Sequence, residues 1–157
     1  MKYTINIDGS GADEMLRGVR ERQKWLEERT KEFAKRLAEY GVRLAKAYFL
    51  VPYDGNNDVT VTWEERGDFT TAVIATGEAV LFLEFGAGYM MGYGHPDVQG
   101  YGPGTYPGKG HWDDPRGWWI PGTGQHTYGN PPAAAMYNAR KQVEEDLTTI
   151  AREVFSH

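Results

Sequence analysis

A chain of 157 residues, 40% apolar and 25% charged, is long enough for one domain and too apolar for a disordered segment. Its net charge of −5 disfavours direct nucleic-acid binding, which needs clustered Lys and Arg on phosphates. The absence of cysteine excludes disulfides, thiol catalysis and thiolate metal sites, and suits a reducing compartment.

Tyr3, Ile5 and Ile7 alternate with Thr4, Asn6 and Asp8, the period of a short strand. The segment is too short and too alternating for a signal peptide, and no run in the chain approaches the ~20 apolar residues of a membrane span. Asp8-Gly9-Ser10-Gly11 reads as a turn, and Ser10 with Asp13 resembles a capping box.

A long helix is predicted over about residues 12–49. Met15, Val19, Leu26, Phe33, Leu37, Tyr40, Leu44 and Tyr48 recur at steps of three, four or seven and share one stripe. Glu27–Lys31, Glu32–Arg36 and Glu39–Arg43 are i,i+4 pairs in the favourable order. Pro52 pushes Val51 out of helical geometry and ends the run. Gly41 is a weak point, costing up to about 1 kcal/mol relative to Ala. It marks a possible kink, and a helix broken there and folded back on the sheet is the alternative. Unbroken, such a helix is roughly 50 Å long. A domain of this size is only about 40 Å across. The overhang leaves an apolar stripe for a neighbouring subunit to cover.

Tyr53-Asp54-Gly55-Asn56-Asn57-Asp58 is a loop by composition. Val59, Val61 and Trp63 alternate with polar residues, Glu65-Arg66-Gly67-Asp68 is a hairpin turn, and Phe69 to Thr76 is the partner strand. After the Gly77-Glu78 turn, Ala79 to Phe85 is a third apolar segment. It is short enough for a buried strand, with one or two helical turns the alternative. The strands together span about residues 58–85.

Residues 86–131 hold 13 of the 20 glycines, three of the five tryptophans and three of the four histidines. So long a stretch without periodicity is uncommon inside a compact domain and is usually functional or mobile. Trp118-Trp119-Ile120 is a candidate short strand within it. Asn130-Pro131-Pro132 then reads as cap and first positions of a helix over about 132–154. Its seam is Met136, Val143, Leu147, Ile150 and Val154. The resulting class is α+β: a small antiparallel sheet packed against a long N-terminal helix and a C-terminal helix, with a long Gly/aromatic-rich loop.

Catalytic chemistry finds little footing. The two serines, Ser10 and Ser156, sit in a turn and beside the end of the chain, without a strained elbow. Gly104-Thr105-Tyr106-Pro107-Gly108-Lys109 fails as a phosphate loop, because Gly110 follows Lys109 and Pro103 stands where the first glycine belongs. Gly86-Ala87-Gly88 lacks the third glycine of a dinucleotide fingerprint. His95, Asp97, His111, Asp113, Asp114 and His126 are the available metal ligands, at spacings matching no motif, and hydrogen-bonded loop residues are the simpler reading. Glu84, between Leu83 and Phe85, has no identifiable partner acid for glycosidase chemistry. Tyr89, Tyr93, Tyr101, Trp112, Trp118 and Trp119, with Leu26, Phe33 and Leu37 of the first helix, read best as a subunit interface. Stacking on sugars is the alternative use of the loop aromatics.

At Phe82-Leu83-Glu84-Phe85-Gly86-Ala87-Gly88 the chain resembles the siphophage minor tail component family, the tail-completion or head–tail joining proteins. Other parts are similar to that family in order: a long charged first helix, Ala45-Lys46-Ala47 leading to Pro52, a strand pair, an aromatic glycine-rich loop, and the opening Asn130-Pro131-Pro132-Ala133-Ala134-Ala135-Met136-Tyr137 of the last helix. The resemblance covers about residues 12–155. One departure is Tyr53-Asp54-Gly55-Asn56-Asn57-Asp58, where many members carry D-T-G-x-L, and it leaves the neck or tail partner open.

The resemblance implies a structural virion protein, not an enzyme, with no cofactor and no metal. It implies a six-fold ring of identical subunits between tail tube and head connector, in contact with other neck and tail proteins. DNA passes through such a ring without sequence-specific binding, no membrane is involved, and assembly takes place in the bacterial host cytoplasm. Phe82, Glu84, Phe85, Gly86 and Gly88 are then structural: the glycines allow a chain reversal and the carboxylate ties the base of the loop.

Overall fold

The apolar stripe of the first forty residues is drawn onto one helix because charged side chains fill its remaining faces. In the computed structural model, which describes residues 10–52, 57–88, 95–96, 114–120 and 122–156, that helix is α1, Ser10–Leu50, without a break. Its surface pairs differ in part from those expected. Arg36 binds Glu32 at 2.7 Å, but Glu27 accepts from Gln23 and Glu39 faces Lys35 at 3.9 Å. The end is set by Pro52 and by Asn57, whose amide donates to the Phe49 carbonyl at 2.9 Å. The strand expected at residues 3–7 lies outside the described residues.

Gly41 does not break α1. It is buried, and a Cβ there would stand 3.1 Å from Val73 Cγ2 and 3.7 Å from Val143 Cγ2. The helix is thinnest where two other elements press on it. Ala38 and Ala45 extend the same narrow face.

The β-branched run folds as a hairpin, β1 (Thr60–Glu65) and β2 (Thr71–Thr76), paired antiparallel with Val61 opposite Ala75 and Trp63 opposite Val73. Phe69, expected in the strand, sits in the connecting turn at φ 63, and its side chain is exposed near Lys31. The Thr71 hydroxyl donates to the Ala34 carbonyl at 3.1 Å, anchoring the hairpin on α1.

The third apolar segment is a helix, not a strand: α2 spans Val80–Phe85. The Asp58 carboxylate decides the start. It accepts from the N–H of Glu78 at 2.6 Å and of Ala79 at 3.0 Å, turning the chain just ahead of α2. Leu83 and Glu84 then face inward while Leu81 stays exposed, a helical and not an alternating pattern.

The last helix, α3, spans Ala135–Phe155 and starts later than Asn130-Pro131-Pro132 suggests. It runs antiparallel to α1. Phe155 meets Trp25 and Phe33, Arg36 reaches Glu153 at 3.8 Å, and the Tyr40 hydroxyl donates to Asp146. The core is Ala45, Phe49, Val61, Leu83, Ala135 and Ala139, with Val42, Tyr48, Val73 and Met136 packed against it. A two-residue ladder, β3 (Trp118–Trp119) with β4 (His126–Thr127), stands apart from the hairpin sheet. The fold is α+β, a small antiparallel sheet against two long helices. No helix among the described residues is long and apolar enough to cross a membrane.

The two long helices differ in reach: 41 residues against 21 is about 60 Å against about 30 Å. Since α3 ends beside Trp25 and Phe33, the first part of α1 extends beyond it. There Leu16 and Val19 remain 55% and 49% exposed, and Leu26, level with the end of α3, is 51% exposed.

Candidate functional site

The signature segment and the chain leading into α3 are stitched together by successive hydrogen bonds. The carbonyls of Phe82, Leu83 and Glu84, at the open end of α2, accept from the Asn130 amide at 2.8 Å, the Ala133 N–H at 2.7 Å and the Ala134 N–H at 3.1 Å. Ala87 and Asn130 exchange two backbone bonds at 2.9 Å. A helix end leaves its last carbonyls without intrahelical partners, and here the incoming chain supplies them.

The Glu84 side chain does the same for the other helix. It is buried, and its two oxygens accept from the N–H of Met136 at 2.8 Å and of Tyr137 at 3.1 Å. The first turn of α3 is therefore capped by a residue from α2. Asn130, the cap expected from sequence, is engaged with Phe82 and Ala87, and Ala134 at the helix start is left-handed at φ 48 without a side-chain cap. A carboxylate at a helix N-terminus also meets the positive end of the macrodipole.

His95 closes the node. Its Nε2 lies 3.2 Å from Glu84 Oε1, and its ring is 4.7 Å from Phe85 and 5.7 Å from Tyr137. Beside it a recess of about 510 Å³ runs between Val73, Met136 and Val143, with Gly41 at its wall. Glu84, Phe85 and His95 also line that recess, and both Glu84 oxygens are engaged, by the two backbone donors and by His95.

The glycines of the string make the close approach possible. Gly86 has φ 80, and a Cβ there would come within 2.8 Å of the Asn130 carbonyl; at Gly88, φ 92, it would come within 2.2 Å of the Tyr128 carbonyl. Side chains do not fit either place.

The other candidates separate. Asp114 is held to Arg116 at 2.8 Å, which lowers its carboxyl to about 2. His126 lies between Trp119 and Tyr128, at ring distances of 5.1 and 5.0 Å. Asp97, His111 and Asp113 lie outside the described residues. Among the described residues no three His, Asp or Glu side chains converge as a metal site would require. Of the interface candidates, Trp119 is 67% exposed and Trp118 half-buried; Leu26 is exposed, while Phe33 and Leu37 are half-buried, Phe33 against Phe155. Tyr89, Tyr93, Tyr101 and Trp112 lie outside the described residues.

Sequence reasoning missed three ties. They are Asp58 to the turn before α2, Tyr40 to Asp146, and Glu84 to α3. Each joins residues far apart in the chain, and only the carboxylate in an apolar run was a visible signal. No protein-family model, no curated protein and no solved structure matches the chain.

Proposed function

We propose that this protein is a structural subunit of a tailed phage or prophage, acting in tail completion or head–tail joining as part of a ring. One observation carries the reading: α1 continues past its packing partner, with Leu16 and Val19 beyond the end of α3 and Leu26 level with it about half exposed on the stripe that α3 covers further along. Apolar residues on a continuous stripe mark a surface built for another protein chain. The Phe82–Gly88 string supports the family assignment, and the Glu84 node gives its residues structural work. The partners on this reading are copies of the same chain and neighbouring neck or tail proteins, in the virion and in the host cytoplasm where it is built. The mildly acidic chain suits a passage along which DNA slides without sticking.

Electron microscopy of particles produced when the gene is disrupted tests the proposal. Filled heads and separate, unjoined or unfinished tails are expected, and restored joining when the protein is supplied. Intact infectious particles in its absence overturn it.

A second reading has its own observation. Trp119 and Tyr128 stand exposed on either side of His126, an arrangement able to stack on a sugar ring. Glycan-array binding that is lost in Trp119→Ala supports that use.

A further inference from the structure

The recess beside Glu84 is larger than a packing gap. Its volume of about 510 Å³ lies in the usual range of small-molecule sites, whereas voids in a close-packed core seldom exceed a water molecule. α3 gives it one face, Met136, Ala139, Arg140 and Val143, at the three- and four-residue steps that share one side of a helix. Val73 of β2 and Gly41 of α1 complete the apolar wall. A Cβ on Gly41 would lie 3.1 Å from Val73 Cγ2 and 3.7 Å from Val143 Cγ2, so the glycine leaves the space between them unfilled.

The recess has an apolar floor and a charged rim. Ala139 is buried, Met136 and Val143 are half-buried, and Arg140, at the outer edge of the same face, has its side chain 54% exposed. Glu84 and Arg140 are the carboxylate and the guanidinium of the described lining. The Glu84 charge lies against the first turn of α3 and is answered by the N–H groups of Met136 and Tyr137 and by His95. Arg140 stands over the Tyr137 ring at 5.4 Å, and its Nε is 3.6 Å from Glu144, which pairs with Lys141 at 3.2 Å. A guanidinium has five N–H donors, so Arg140 can hold an incoming anion without giving up these neighbours.

We propose that the recess binds a small apolar carboxylate, its hydrocarbon body between Val73, Met136 and Val143 and its head group on Arg140. Charge selects this guest: an alcohol of the same shape keeps the apolar contacts and loses the ionic hydrogen bond, and an amine meets Arg140 with like charge. The proposal goes beyond the assembly reading and does not depend on it.

Benzoate and benzyl alcohol, titrated into the full chain at low salt, are the probes. Carbon-13 methyl NMR of Val73, Met136 and Val143 reads their binding. Saturable shifts at these methyls are expected, with benzoate about tenfold tighter than benzyl alcohol, as a charge-assisted hydrogen bond dictates. Arg140→Gln, at an exposed position, should bring benzoate down to the affinity of the alcohol and leave the alcohol unchanged. The absence of saturable shifts up to about 10 mM, a concentration that populates even weak small-ligand sites, overturns the proposal. So do equal affinities of the two probes in the wild type, or a benzoate preference that survives in Arg140→Gln. Shifts centred instead on Val51 and Ala133 place the probe elsewhere and refute the recess as its site.

Discussion

The carboxylate of Glu84 accepts from the backbone N–H of Met136, fifty-two residues further along the chain, and so one helix supplies the cap of another. The same residue's carbonyl accepts from Ala134. Two helices are thereby tied through main chain and side chain at one point.

Glu84→Ala removes acceptors from buried N–H groups and is expected to cost about 1–3 kcal/mol. Glu84→Gln retains one acceptor oxygen and falls between wild type and Ala. Urea unfolding measures both. An unchanged midpoint in Glu84→Ala contradicts the capping role.

At Gly41 two effects oppose each other. Adding a side chain raises helix propensity by up to about 1 kcal/mol. It also drives atoms into Val73, and overpacking costs about 1–3 kcal/mol. Gly41→Leu is expected to lose stability, and Val73→Ala in the same chain to recover part of it. A double-mutant cycle by denaturant unfolding reads the coupling; strict additivity of the two changes argues against contact.

Acid should weaken the fold through Asp58 and Asp146. The N–H groups of Ala79 and Glu78 hold the Asp58 carboxyl below its usual value, and the Tyr40 hydroxyl with Gln142 does so for Asp146. Folded values below the unfolded value near 4 mean stability that is present above it and lost as pH falls through the folded value. Unfolding midpoints from pH 7 to pH 3 should therefore decline, and Asp58→Asn should be less stable at pH 7 with a shallower decline. An unchanged slope removes Asp58 from the account.

Leu26→Glu alters a residue that contributes little to its own chain. Folding stability is expected to stay within about 0.5 kcal/mol, as for ordinary surface changes. Tail joining by the variant should fail. A large fall in unfolding midpoint would show that Leu26 is covered within the monomer.

Hydrogen exchange should follow the overlap of the long helices. Amides of residues 14–22 have no α3 beside them and are expected to exchange faster than those from Phe33 onward. Equal protection along α1 in dilute solution contradicts the free arm.

The two long helices and the hairpin were legible because their periods persist over many residues. The seven residues from Ala79 to Phe85, six of them apolar, fit a strand or a helix equally well, and the deciding carboxylate, Asp58, lies some twenty positions earlier. Gly41 misled for a similar reason: propensity counts the backbone's freedom and is blind to Val73 pressing from another element. Glu84 stood out as a charge among apolar neighbours, but its partners at Met136 and Tyr137 could not be read from spacing. Asn130 carried a capping letter and was used elsewhere.

The backbone clasp between Ala87 and Asn130 draws together the two ends of everything that lies between them. Whatever is inserted or deleted beyond that clasp alters the closure entropy only slightly, each doubling of length costing about 0.6 kcal/mol. That tolerance stops at His95, whose ring is lodged against Glu84, Phe85 and Tyr137 and ties its own neighbourhood to the helical frame.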